Sequence, residues 1–174
     1  MDWHEMANDV IGGKSISLAY CTLCGSAILY AGDHPQAPEG KPFTFGSSGL
    51  LYRSNKLMYD RATDSLWNHM EGKPVAGPLA ASGIQLKTLP VVQTTWQRWR
   101  KRHPDTKVLS LDTGYERDYS PGAAYGRYFR TQKLMFPNMA AKSMQRPKTP
   151  VFVLRLGKTT HTYVVADLPA ATLV

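Results

Sequence analysis

Residues 14–31 read KSISLAYCTLCGSAILYA, and this stretch decides how the chain folds around its only two cysteines. Apolar and small side chains alternate from Lys14 to Tyr20, which is typical of a half-buried strand. The apolar run from Ser26 to Ala31 indicates a returning strand. The pattern therefore predicts a hairpin with Cys21 and Cys24 near its tight end.

The remaining pattern predicts mostly strands and loops. Strands are expected at residues 84–92 and 107–111, and Val151–Leu156 with Thr162–Val165 predicts a closing hairpin. Thr95 is a suitable cap for a helix that runs towards His103. We predict an α+β fold, dominated by antiparallel strands, with few helices and long ordered loops.

Length and composition indicate a folded globular protein. The chain has 174 residues, of which 43% are hydrophobic and 20% charged, so it suits a single domain over residues 1–174. The longest apolar run, Ala27–Ala31, is too short to cross a bilayer, and the N-terminus lacks the pattern of a signal peptide. The cellular location is not predicted by the sequence.

Two thiols three positions apart support three kinds of chemistry. Cys21 and Cys24 are suited to sharing a metal ion, to forming a redox-active pair, or to shaping the turn as a structural or disulfide-linked pair. A metal site needs further donors, and we select Met58, His4 and His69 as candidates. Copper and zinc are the metals that such donors favour.

A second group of candidates combines ionisable and aromatic side chains. Asp60 is a candidate catalytic carboxylate, and the competing interpretation is that it fixes a turn. Arg53, Tyr59 and Trp67 are candidates for lining a pocket that binds a small molecule.

The charge balance favours anionic partners. Lysine and arginine number 21 against 13 acidic residues, and part of the excess lies in the stretch from Arg98 to His103. No recognised nucleic-acid module accompanies this charge, so a solvated basic face is the competing interpretation.

Several blocks of sequence together resemble one family. The most specific are residues 20–25, 54–61 and 65–67, which read YCTLCG, SNKLMYDR and SLW. In this order they resemble the bacterial and archaeal family called domain of unknown function 3179. The resemblance implies that the cysteine pair is typical of the family, and it supplies no established reaction.

Members of that family are commonly longer at both ends and often carry export leaders. The resemblance therefore leaves two alternatives, a chain truncated at both ends relative to the family or a naturally short form, and it implies an extracytoplasmic location if a leader is missing. At the position of His69 the related motif often has glutamine, which argues against carrying a ligand role over to it.

The residues and the resemblance lead to two hypotheses about function. The first is a thiol-centred metal-binding or redox protein built around Cys21 and Cys24. The second is a non-catalytic binding module whose basic surface engages an anionic partner, with the cysteines structural. The sequence leaves open whether the protein is an enzyme.

Overall fold

The computed structural model describes residues 1–136 and 145–169, and the chain divides into two compact units, Met1–Gly126 and Arg127–Val174. We describe each unit by itself. The single domain predicted over residues 1–174 stays a prediction, because a division into compact units does not by itself define a domain.

The first unit holds two antiparallel sheets of four strands each. One has the strand order β1-β2-β3-β8 and the other the order β4-β5-β6-β7. Their bounds are β1 Met6–Ile11, β2 Lys14–Cys21, β3 Ser26–Ala31, β4 Phe45–Tyr52, β5 Asn55–Asp60, β6 Leu66–Asn68, β7 Lys73–Ala76 and β8 Thr88–Leu89. Within this unit lie a 3-10 turn, Pro38–Gly40, and the helix α1, Trp96–Arg102; a second helix, α2, spans Gly126–Phe129.

The second unit contains a two-stranded antiparallel sheet. Its strands are β9, Val151–Leu156, and β10, Thr159–Val164, and a 3-10 turn follows at Val165–Asp167. The predicted closing hairpin across Gly157 and Lys158 is therefore confirmed. Nearly every side chain of this hairpin is exposed.

The predicted α+β class is wrong, because the fold is mainly β. Strands account for 34% of the structure and helices for 11%. The helices α1 and α2 are seven and four residues long, and neither contributes a buried residue. A class with a helical layer needs helices that pack an apolar face on the sheet, and these two do not.

The local predictions around α1 had mixed outcomes. The helix is confirmed, and the Thr95 hydroxyl caps it by accepting from the Arg98 N–H at 3.3 Å. Residues 107–111 form no strand, and Val108 and Leu109 are 67% and 64% exposed. Alternation marks a strand only where a neighbouring strand or core buries one face.

The core of the first unit is built by side chains of both sheets. Trp67 on β6 meets the rings of Phe43 and Phe45 edge-on, with centroids 5.2 and 5.4 Å away. Its indole N–H donates to the Asp60 carboxylate at 2.8 Å. The core cluster consists of Ala19, Tyr30, Ala37, Phe43, Phe45, Met58, Trp67, Ile84 and Leu86.

Among the described residues, no helix has the length and apolar character that crossing a bilayer requires.

We expect Trp67→Ala to lower the free energy of unfolding by about 3–5 kcal/mol, because it removes a fully buried ring and leaves Asp60 without one of its donors. Trp96→Ala is the matched control, since Trp96 is 52% exposed on α1, and its effect should stay within about 0.5 kcal/mol. Urea unfolding followed by circular dichroism measures both. Equal losses in the two variants would contradict the assigned core.

Candidate functional site

The two cysteines lie on a turn of helical geometry between β2 and β3. The Gly25 N–H donates to the Cys21 carbonyl at 2.8 Å, and Cys21 and Ser26 are the last paired residues of β2 and β3 before the turn. Residues three apart on a helical turn point to the same side. Gly25 has φ +63°, a left-handed conformation for which glycine is suited. The predicted hairpin with both thiols at its end is confirmed.

The thiols are close enough to share a proton. Their sulfur atoms are 2.8 Å apart, longer than the about 2.05 Å of a disulfide bond, and both cysteines are free. The hydrogen bond from Cys24 lowers the pKa of Cys21 to about 7, although burial acts in the opposite direction. The same hydrogen bond raises the pKa of Cys24, so the pair loses its first proton far more readily than its second.

The two cysteine residues differ in their exposure to solvent. Cys21 is 5% exposed, whereas Cys24 belongs to the exposed residues. Cys24 is therefore the cysteine that we expect a reagent to meet first. The side-chain amide of Asn55 also donates to Cys24 Sγ, over 3.5 Å.

A buried ion pair lies beside the turn. The Lys56 ammonium group, whose side chain is 6% exposed, contacts Glu5 Oε2 at 3.3 Å and the Tyr20 carbonyl at 3.3 Å. Burial lowers the pKa of Lys56, while the charge of Glu5 opposes that shift. The Lys56 charge helps lower the pKa of Cys21, whereas the Glu5 charge acts against it at least as strongly, so the ion pair as a whole does not favour the thiolate.

Glu5 connects three strands to this site. Its carboxylate accepts from the hydroxyls of Thr22, at 2.7 Å, and Ser47, at 2.6 Å, besides pairing with Lys56. Burial alone would raise the pKa of Glu5, but these hydrogen bonds and the Lys56 charge lower it. Glu5 also has φ +56°, which costs about 1–2 kcal/mol in a residue with a side chain. Such strain persists where several contacts fix the residue.

His69 is held on the other side of Asn55. Its Nδ1 lies 2.8 Å from Asn55 Oδ1, and its Nε2 lies 3.2 Å from the Ala19 carbonyl oxygen. Burial lowers the pKa of His69 to about 4, so the ring is neutral at pH 7. Both ring nitrogens face an oxygen atom, and since a neutral ring carries one N–H, it donates to one of the two oxygens.

The sequence model of the family described as Protein of unknown function (DUF3179) matches residues 1–174, the whole chain. The chain belongs to this family. Comparisons with curated proteins and with solved structures give no match. The family assignment predicted from the sequence is thus confirmed, and the site of this family member has to be interpreted from its own geometry.

The structure brings only some of the predicted site residues to the thiols. Asp60 and Trp67 meet each other at the β5–β6 turn, where Asp60 Oδ1 accepts from the backbone N–H groups of Ala62 and Thr63. These contacts support the turn-fixing interpretation of Asp60. Its catalytic role stays a prediction without a contact that supports it.

The other candidates serve local packing. Met58 is fully buried in the core, and Tyr59 lies over Gly46, where an added Cβ would come within 2.4 Å of its ring. Arg53 sits above the Tyr52 ring at the β4–β5 turn. His4 Nε2 lies 2.6 Å from the Tyr119 hydroxyl oxygen.

Sequence reasoning missed Glu5, Lys56 and Asn55. The sequence did contain one signal for Lys56. Lys56 and Met58 are two positions apart on β5 and therefore lie on the same face of the strand, so a charged residue stands on a face that is buried. Glu5 carries no such signal. Ser26 was also missed, and its buried hydroxyl makes no hydrogen bond within the described residues.

We expect Lys56→Met to destabilise the protein by about 3–5 kcal/mol, because it leaves the Glu5 carboxylate without its buried cation. It should also raise the pH at which the thiols become reactive, since a positive charge is lost near Cys21. Urea unfolding and the pH dependence of iodoacetamide alkylation measure the two effects.

The exposed ion pair of Lys41 and Glu39, with side chains 76% and 75% exposed, provides the control. Lys41→Met should cost less than about 1 kcal/mol and leave the thiols unchanged. Adding Glu5→Gln to Lys56→Met should recover part of the stability. No recovery in that double variant would argue against a coupled pair.

Proposed function

We propose that this protein carries a thiol–disulfide redox couple formed by Cys21 and Cys24. The supporting observation is the 2.8 Å separation of two free thiols on one turn, with one of the two cysteine residues exposed. Only a small movement of the side chains separates this arrangement from a covalent bond of about 2.05 Å.

The reaction follows from the positions of the two sulfurs. When the pair has lost one proton, transfer of the remaining proton across the sulfur–sulfur hydrogen bond leaves Cys24 as an exposed thiolate. Cys24 Sγ attacks one sulfur of a substrate disulfide, forming a mixed disulfide and expelling the other sulfur as a thiolate.

Resolution then uses the buried cysteine. Cys21 loses its proton to solvent, and its thiolate attacks Cys24 Sγ. The mixed disulfide breaks, the second substrate thiolate leaves, and the Cys21–Cys24 disulfide forms. The substrate gains two electrons and the pair loses two, and the reverse sequence oxidises a dithiol.

The surrounding groups fit this assignment. Asn55 donates towards Cys24, where the attacking charge develops, and Lys56 lies on the side of Cys21. The lowered pKa near neutral pH is that of Cys21, so the attacking thiolate of Cys24 forms by transfer of its proton to Cys21 across the sulfur–sulfur hydrogen bond.

The metal-binding version of the hypothesis finds less support in the donor arrangement. Among the described residues, no three His, Cys, Asp or Glu side chains converge as metal ligands would. The predicted donors His4 and His69 already have partners, and Met58 lies in the core. The residues present do not complete a zinc or copper site, so binding of either metal by Cys21 and Cys24 stays a prediction. Elemental analysis of protein purified without added metal tests it.

The response to cysteine oxidation distinguishes the binding-module hypothesis from the redox hypothesis. If they only shape the turn, a partner bound through basic side chains should dissociate with rising salt and should be indifferent to thiol oxidation.

We expect the variants Cys21→Ser and Cys24→Ser to differ in how they react with a disulfide. Cys21→Ser keeps the exposed sulfur but loses the resolving one, so with oxidised glutathione it should accumulate a stable mixed disulfide. Cys24→Ser keeps only the buried sulfur and should react at least about tenfold more slowly, since thiol exchange needs access. Mass spectrometry of the intact protein distinguishes the products. Equal adduct formation in both variants would contradict the assigned order.

We expect both the alkylation of the reduced cysteine pair and the stability of the reduced protein to depend on pH. Alkylation of the reduced pair should rise as the pH increases through about 7, and Cys24→Ala should move this rise upward because Cys21 loses its hydrogen bond. The folded pKa of Cys21 lies below the unfolded value of about 8.5, so its stabilisation is lost as the pH falls from that value through about 7, and above about 8.5 the raised pKa of Cys24 opposes it. Urea unfolding of the reduced protein across this range, compared with Cys24→Ala, measures the difference. An identical pH profile in the two proteins would refute the lowered pKa.

A further inference from the structure

We infer that the redox couple acts preferentially on disulfides that carry negative charge, because the segment that leads into the cationic helix α1 is hydrogen-bonded to the cysteine turn. This inference rests on the proposed function. It names the chemical class of the substrate, which may be tested separately from the redox activity itself.

The anchor is a hydrogen bond made by Gln93. Its side-chain amide donates to the carbonyl of Gly25, the residue after Cys24, at 2.9 Å. The helix starts three residues later, at Trp96. Since an extended chain spans at most about 3.6 Å per residue, Arg98 lies within about 18 Å of Gln93 along the chain.

The helix presents four cations without neutralising partners. Their side chains are exposed, and no ion pair between described residues involves them. The sequence contains no acidic residue between Glu71 and Asp105. The cations are Arg98, Arg100, Lys101 and Arg102.

Local contacts keep this short helix ordered. Thr95 caps its start, and the Trp99 indole N–H donates to the Thr106 hydroxyl at 3.0 Å. The rings of Trp99 and His103 lie 4.1 Å apart. The cations near the C-terminus of the helix also interact favourably with its dipole.

The cations of α1 matter for an anionic substrate because the thiol site itself is negatively charged. In the reactive state the charges of Glu5 and Lys56 cancel, and the thiolate leaves the immediate site negative. An anionic disulfide would be repelled by the thiolate alone, whereas the four cations of α1 attract it. The Debye length is about 8 Å at physiological ionic strength and about 30 Å at 0.01 M, so the attraction should be strongest at low salt.

The test compares three small disulfides that differ in charge: oxidised glutathione, which is anionic, 2-hydroxyethyl disulfide, which is neutral, and cystamine, which is cationic. The measured quantity is the rate of thiol loss from the reduced full-length protein at pH 7, in low and in high salt. In the helix variant, Arg98, Arg100, Lys101 and Arg102 are all replaced by Gln.

A control variant removes the same net charge elsewhere. It replaces four exposed lysines by Gln, namely Lys14, Lys41, Lys73 and Lys158. We expect the helix variant to lose about tenfold in rate with oxidised glutathione at low salt, and less than twofold with the neutral disulfide. The control variant should lose less than threefold with either, and high salt should abolish the difference.

The outcomes separate the two proposals. If the neutral disulfide fails to convert the unmodified protein to the Cys21–Cys24 disulfide, the proposed function is wrong. If it succeeds but the two variants respond equally to oxidised glutathione, the redox couple stands and the charge preference is overturned.

Anionic disulfides occur in small thiols and in acidic polypeptides. Two disulfide peptides of equal length, one rich in Glu and one rich in Lys, distinguish these sources. A helix-dependent preference for the acidic peptide larger than that for glutathione supports a polypeptide substrate. A smaller preference supports a small one. No preference in either series overturns the inference.

Discussion

The buried ammonium group of Lys56 fixes the backbone on which the thiol chemistry depends. It donates to the carbonyl of Tyr20, the residue before Cys21, and pairs with Glu5, whose carboxylate accepts from Thr22, the residue after Cys21. Both neighbours of the buried cysteine are thus tied to one charged cluster. Desolvating two charges is costly, and good geometry with additional hydrogen bonds is what makes such a pair tolerable. Here those bonds also connect β2, β4 and β5, so the position of Cys21 and the contact between the two sheets of the first unit have a common cause.

Sequence reasoning succeeded where the determinants were local. The hairpin around Cys21 and Cys24 follows from alternation and one glycine, and the helix start follows from Thr95 as its cap. The Glu5–Lys56 pair joins residues 51 positions apart, so no local pattern reveals it. The same limit explains the incorrect α+β class. Periodicity identified one short helix but could not tell that this helix packs no apolar face against a sheet.

Two residues chosen for chemistry show why a polar group in an apolar context is ambiguous. Asp60 and His69 are both fully buried, and a buried polar group must be hydrogen-bonded wherever it lies. Asp60 satisfies this requirement with turn N–H groups and the Trp67 indole, while the single N–H of the neutral His69 ring donates to one of the oxygens of Asn55 and Ala19. Catalytic and structural groups have the same residue types and the same hydrophobic neighbours in sequence. Only the identity of their partners separates the two roles, and that requires coordinates.

Oxidation of the cysteine pair changes the charge at the thiol site. This change affects which of the two proposed half-reactions is favoured. Forming the Cys21–Cys24 disulfide removes the thiolate charge, whereas the Glu5–Lys56 pair remains balanced. The cations of α1 then act on an approaching anion without an opposing charge at the cysteines. Electrostatic attraction affects mainly the rate of encounter, so an anionic thiolate meets the oxidised pair more favourably than an anionic disulfide meets the reduced pair. In the proposed couple the same helix would assist both half-reactions but would assist reduction of the pair more, because only the reduced state carries the charge that opposes it.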